Sequence, residues 1–229
     1  ALAGGPFLWT DKMVRRTKDE ALATREALLD AAEQVFGACG VTRATLNDVA
    51  SAAGVTRGAV YWHFRDKSEL FAAMCSRATL PMQSRLQQAA DGDGDDAIAT
   101  LREVSVQALR EIASNPRTRA VLEIVLCKSE RLTEEINGAL HADEMDRQCV
   151  SAVERIVARA VGQRSLPVET DRNLAAHMLQ AFFHGIIQLW LTHPDAFDLD
   201  SAAPALVDAM IAGLVTAPPL VSAGNCAEA

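Results

Sequence analysis

Few residues of this chain are aromatic, about one in twenty of 229, and only one is a tyrosine. Ala, Leu and Val instead dominate an apolar content of 49%. A β-sandwich packs its pleated faces with β-branched and aromatic side chains, so this bias argues against one and favours helices. The sequence predicts an all-α protein, long enough for one or two domains with a sizeable core.

Cysteines are odd in number and scattered, at 39, 75, 127, 149 and 226, with no Cys-x-x-Cys pair. The pattern fits reduced thiols in a cytosolic protein and neither a disulfide scaffold nor a zinc module. No run of 18 consecutive apolar residues exists, so no membrane span is expected. The basic-then-apolar order of a signal peptide is missing as well. Catalytic patterns are lacking: there is no Gly-x-Ser-x-Gly, no glycine-rich phosphate loop and no His-Glu-x-x-His. We expect no enzyme activity, cofactor or metal site. The run Asp91-Gly-Asp-Gly-Asp-Asp96 departs from a calcium loop, with Asp in place of the turn glycine and Arg102 where the bidentate Glu belongs. It reads as a solvated acidic linker.

Basic charge is also short overall, the net being −8, but the deficit is uneven. Residues 13–70 hold eight Lys/Arg against eight Asp/Glu, so the whole deficit from Met13 onward lies after Leu70. A neutral first third with local basic clusters is compatible with a polyanionic partner, and an acidic remainder is held away from it.

What is present is a succession of helical patterns. Thr17-Lys-Asp-Glu20 is a capping box and Thr24 a second possible start; Leu28, Leu29, Ala32, Val35 and Phe36 follow at helical spacing as far as Gly40. Thr45 caps a short second helix that Gly54 stops, and Thr56 caps a third from Arg57 to His63. Asp66-x-x-Glu69 opens a fourth that Pro81 kinks without ending. Further helices are predicted at 96–114, 116–128, 131–163, from about 169 to His193, and 202–216. The domains expected are 13–66 for the N-terminal unit and 67–216 for the remainder, with 67–90 as a connecting helix. Met13 opens the first regular pattern and is expected to be the natural start. Residues 1–12 and 217–229 are expected to be disordered or non-native.

Two short helices joined by a glycine turn make a helix-turn-helix. At 100° per residue, Val60 and Phe64 share one face of the third helix and turn to a small core beside Val35, Phe36, Leu46 and Val49. Gly58 and Trp62 lie opposite, flanked by Arg57, Ala59, Tyr61 and His63. That outward face suits DNA: the glycine permits close approach, an arginine pairs bidentately with guanine, and an alanine touches a thymine methyl. The Tyr hydroxyl, Trp indole, His63 and Lys67 are donors for phosphate oxygens, and the helix starts at Thr45 and Thr56 present backbone amides. Arg15, Arg16 and Lys18 are placed like an arm reaching a neighbouring groove or backbone.

The order Thr45-Leu-Asn-Asp-Val-Ala50, Ala53-Gly-Val-Thr-Arg-Gly-Ala-Val-Tyr-Trp-His-Phe64 and Lys67-Ser-Glu-Leu70 resembles the tetracycline-repressor (TetR) family of bacterial regulators. Met13-Val-Arg-Arg-Thr-Lys18 and Leu80-Pro81-Met82 narrow the resemblance to the AcrR-like branch, repressors of multidrug efflux pump operons. Pro116-Arg-Thr-Arg119, His184-Gly185 and Trp190-Leu191 extend it into the remainder. The resemblance implies an N-terminal three-helix DNA-binding domain and a C-terminal helical ligand-binding and dimerisation domain. It further implies a cytoplasmic homodimer on a palindromic operator, released when a small hydrophobic ligand fills the C-terminal domain. Thr45, Thr56, Arg57, Gly58, Ala59, Tyr61, Trp62, His63 and Lys67 are the residues it places at DNA. By family position, the cavity is lined by Val104, Ala108, Leu122, Leu126, Phe183, His184 and Ile187.

The segments 174–191 and 204–215 are apolar almost all round, so both need cover on more than one side. Two such helices from each of two chains form a four-helix interface, with Ala181, Gly185 and Gly213 allowing close approach. A histidine satisfied within the core remains an alternative for His184, and a regulator of a metabolic operon, an activator or a helical adaptor for the whole chain.

Overall fold

A computed structural model describes residues 9–127 and 141–221. These form nine helices among the described residues: α1 (Trp9–Cys39), α2 (Leu46–Ala52), α3 (Arg57–His63), α4 (Lys67–Asp91), α5 (Ala97–Ser114), α6 (Pro116–Cys127), α7 (His141–Gly162), α8 (Arg172–Thr192) and α9 (Leu199–Thr216). The all-α expectation holds. The described residues contain one isolated bridge, Thr170 with Leu220, and no strand.

Local chemistry sets most boundaries. Thr45 and Asp48 cap α2 reciprocally: Asp48 N donates to Thr45 Oγ1 at 3.2 Å and Thr45 N to Asp48 Oδ2 at 2.9 Å. The turn glycines Gly40 and Gly54 have φ of 79° and 66°, the left-handed region in which a Cβ is costly. Asp66 accepts from Glu69 N at 2.8 Å to open α4, which runs on through Pro81.

Three expectations are corrected. The first helix begins at Trp9, not at Thr17 or Thr24, because neither Gly nor Pro interrupts the sequence between Trp9 and Gly37 and an existing helix propagates cheaply. The Thr24 hydroxyl donates to Glu20 O inside that helix. Arg15, Arg16 and Lys18 therefore sit on a helix, not an extended arm. The last helix starts at Leu199, three residues early, because Asp198 caps it by accepting from Asp200 N and Ser201 Oγ. Residues 217–221 are ordered against the 167–171 loop, with Asp171 N donating to Pro219 O and Val221 N to Glu169 O. The rest of the expected termini, 1–8 and 222–229, and the predicted helical residues 131–140, lie outside the described residues.

Two cores divide the molecule. The first joins Leu28, Leu29 and Phe36 of α1 to Val49, Val60 and Phe64, and to Leu70, Phe71 and Met74 of α4. The second gathers α5, α7, α8 and α9 around Leu109, Ile156, Leu179 and Leu214. At roughly 1.5–3 kcal/mol per buried large apolar side chain, each is an independent source of stability. The first half of α4 belongs to the N-terminal core, and α6 reaches into it with Val121 and Ile124, while Leu122 and Leu126 on the same helix pack on the other core. An ionic cluster reinforces this junction, with Arg77 of α4 pairing with Glu26, Asp30 and Glu33 of α1, and Arg117 of α6 with Asp30 and Glu33.

The acidic loop 92–96 is pinned by α7. Arg159 donates to the carbonyls of Ala89, Ala90 and Gly92, and Gln163 both accepts from Ala97 N and donates to Gly94 O.

Candidate nucleic-acid interface and effector cavity

The two faces of α3 separate as its periodicity predicts. Val60 and Phe64 are buried, at 0% and 2% exposure, whereas Trp62 is 72% and Tyr61 48% exposed. Arg57 and Gly58 are exposed beside them, and Ala59 and His63 are half-buried. Thr56 starts the helix by accepting from Ala59 N at 3.3 Å. Arg57 donates from Nη2 to the Tyr61 hydroxyl at 3.1 Å, and its guanidinium carbon lies 5.4 Å from the centre of that ring. His63 meets Trp62 edge-on with ring centres 4.6 Å apart. Desolvation, and then the charge of Arg25, hold His63 below the usual histidine range.

Lys67 is corrected. Its ammonium donates to the carbonyls of Val41, Thr42 and Ala44 at 2.8, 3.1 and 3.0 Å. An ammonium has three donors, and all three are taken by the turn between α1 and α2. The lysine ties the start of α4 to that turn and offers no free donor to phosphate. Thr45 is similarly engaged, its hydroxyl donating to Asp48 Oδ2 at 2.7 Å.

A cavity of about 340 Å³ lies between α4, α5, α6, α7 and α8. All seven residues expected from the sequence, Val104, Ala108, Leu122, Leu126, Phe183, His184 and Ile187, line it. They come from three helices, α5, α6 and α8, that converge on it. The sequence reading missed the face of α4 (Cys75, Thr79, Met82, Gln83, Leu86) and the polar residues Asp146 and Gln180. An amphipathic α4 is legible, but which flank of it borders a void depends on five helices at once. His184 Nε2 lies 3.9 Å from Asp146 Oδ1. Burial pushes the thiols of Cys75 and Cys149, both on this wall, up to about 12 and about 11, keeping them protonated and unreactive. The described residues hold no group of three or more His, Cys, Asp or Glu placed for a metal.

Residues 28–74 match the family described as bacterial regulatory proteins, tetR family, and residues 96–215 match the C-terminal region of MAATS-type transcriptional repressors. The chain belongs to the TetR family. It is thus a transcriptional regulator, with its helix-turn-helix at α2–α3 and a C-terminal helical domain behind it. The chain is 37% identical over 190 residues to the HTH-type transcriptional regulator TtgR of Pseudomonas putida, covering 82% of this chain and 89% of that one. Among solved structures it resembles NalD, secondary repressor of the MexAB-OprM multidrug efflux pump in Pseudomonas aeruginosa. There the TM-score is 0.76 at 31% identity, over 85% of this chain and 97% of the other. It also resembles SmeT bound to triclosan, with TM-score 0.75 and 33% identity over 87% and 97% of the two chains. Within this TetR-family chain, α4 and α6 are the two helices that both line the cavity and enter the N-terminal core.

Proposed function

We propose that this TetR-family regulator represses a multidrug efflux pump operon as a homodimer on a palindromic operator, and releases it when a hydrophobic drug-like molecule fills the cavity. The observation that carries this reading is the pairing of an outward Arg57-Tyr61-Trp62 face with an apolar cavity, joined by α4 and α6. NalD repressing an efflux pump and SmeT holding triclosan support both halves.

At DNA, Arg57 reads a guanine edge, Gly58 and Ala59 admit the backbone and a thymine methyl, and Thr56, Tyr61, Trp62 and His63 hold phosphates and register. Desolvation of a mainly apolar wall favours hydrophobic ligands over one precise metabolite. A ligand shifts the equilibrium only by binding the DNA-incompetent arrangement more tightly. Because Lys67 ties α4 to the α1–α2 turn, movement of α4 at Cys75 and Thr79 is passed directly to the helix-turn-helix.

The dimer reading rests on α8 and α9. Both are apolar enough on average to pass for membrane spans. Each nevertheless buries one face in the core, through Leu179, Ile187 and Trp190 on α8 and Val207, Ile211 and Leu214 on α9. Their outward faces keep Leu174, Met178, Leu189 and Val215 between 39% and 52% exposed. Gly185 and Gly213 have open space where a side chain would stand, which lets a second copy approach closely. The protein acts in the cytoplasm, on the nucleoid when bound to its operator.

A mobility-shift titration tests the whole reading. The purified protein is expected to retard a palindrome from its own upstream region and to release it on addition of a hydrophobic drug. Retention of operator at saturating drug, or failure to bind any palindrome beside the gene, overturns it.

A further inference from the structure

Three buried side-chain polar atoms among the described residues lack a hydrogen-bond partner: Arg77 Nε, Arg159 Nε and Gln180 Oε1. The two arginine nitrogens belong to guanidinium groups whose other nitrogens are paired. Gln180 is different, because its amide oxygen is an acceptor with no donor. Such an atom is costly to bury and is normally matched.

Its position gives the orphan a meaning. Gln180 stands in the wall between the apolar cavity and a neighbouring polar groove of about 530 Å³ on α7 and α8, and it borders both. Two other polar groups line this wall close to possible partners. His184 faces the Asp146 carboxylate at 3.9 Å, and the Thr79 hydroxyl donates to Cys75 O at 3.0 Å. The oxygen itself is closed off from both spaces, and rotation about the broad, roughly two-fold terminal torsion turns it into the cavity.

We propose that Gln180 is the polar specificity determinant of this cavity, and that its ligand is a compact apolar molecule carrying one hydrogen-bond donor, a hydroxyl or N–H, directed at Gln180 Oε1. The inference rests on reading the cavity as the effector site. A site with an unmet acceptor binds a donor-bearing ligand and discriminates against the analogue without it, because the acceptor is then left unpaired in an apolar wall. An apolar cavity alone would not distinguish the two.

The probes are triclosan, whose phenol supplies one donor, and its O-methyl ether, which lacks it. Both are titrated into the full-length protein by calorimetry and scored for operator release. Wild type is expected to prefer triclosan by at least about tenfold. Gln180→Met keeps the length and removes the acceptor; it is expected to bind the two compounds within about twofold of each other. Gln180→Glu, which keeps an acceptor, is expected to retain the preference. No preference in wild type, or a preference that survives Gln180→Met, overturns the inference while leaving the effector cavity intact. Failure of both compounds to bind wild type overturns the reading of the cavity itself.

Discussion

Arg57 and Tyr61 are joined one helical turn apart, the guanidinium donating to the phenolic oxygen at 3.1 Å and lying 5.4 Å from the ring centre. The hydroxyl accepts from Arg57 and so keeps its own hydrogen for a phosphate, while the arginine's remaining donors stay in a fixed fork. Under the proposed function, the pair couples the group that sets register to the group that reads a base. Arg57→Ala is expected to cost about 1–3 kcal/mol of operator binding and to relax discrimination at one G·C position. Tyr61→Phe should weaken the same discrimination. A double-mutant cycle read by fluorescence anisotropy should be non-additive; additive losses would show the two acting separately.

Trp62 and Phe64 separate affinity from stability. Trp62→Ala, at a 72% exposed site, should change the stability of the free protein by less than about 0.5 kcal/mol and still weaken operator binding. Phe64→Ala, at a 2% exposed site, should cost about 3–5 kcal/mol in a urea melt.

Lys67→Met removes the ammonium that holds three carbonyls of the α1–α2 turn. Thermal melts should show the domain weakened by about 1–3 kcal/mol. The salt slope of operator binding should stay as in wild type, since no phosphate contact is lost. A slope reduced by about one would return Lys67 to the DNA.

Asp66 gives a pH dependence of known sign. The Glu69 backbone amide, then the Arg65 side chain, hold its carboxyl below the usual carboxylate range. A depressed folded value means stability present above the unfolded pKa of about 4 and lost as pH falls through the folded one. Asp66→Asn keeps a cap but not the charge. Its melting temperature should fall below that of wild type at pH 7, and the gap should close on acidification below about pH 4.

The outward stripe of α8 predicts the assembly. Leu189→Arg, at a site 49% exposed in the single chain, should convert a dimer to a species of 24.6 kDa in sedimentation and lower operator affinity. An unchanged mass would remove α8 from the interface.

Much of this was legible in the chain itself, for a definite reason. The faces of α3 follow from helical periodicity and from where Val60, Phe64 and Trp62 fall on it. The ends of α2, α3 and α4 follow from Thr45, Thr56 and Asp66, whose side chains cap the next turn. These are short-range effects, fixed by residues within four positions of one another. The cavity residues on α5, α6 and α8 were reached through family position, and they lie together because those helices converge.

What tertiary structure alone decided involves groups far apart in sequence. Lys67 looked like any exposed basic residue near DNA until carbonyls 23 to 26 positions upstream took its donors. Residues 217–221 looked like a frayed tail until the 167–171 loop paired with them. Gln180 reads in the sequence as an unremarkable polar residue on a helix that is otherwise apolar almost all round. Only the packing of α4 to α8 around it leaves its oxygen buried without a donor. Sequence fixes which groups a helix face carries; hydrogen bonding and burial are pairwise, and the partner is supplied only when distant helices meet.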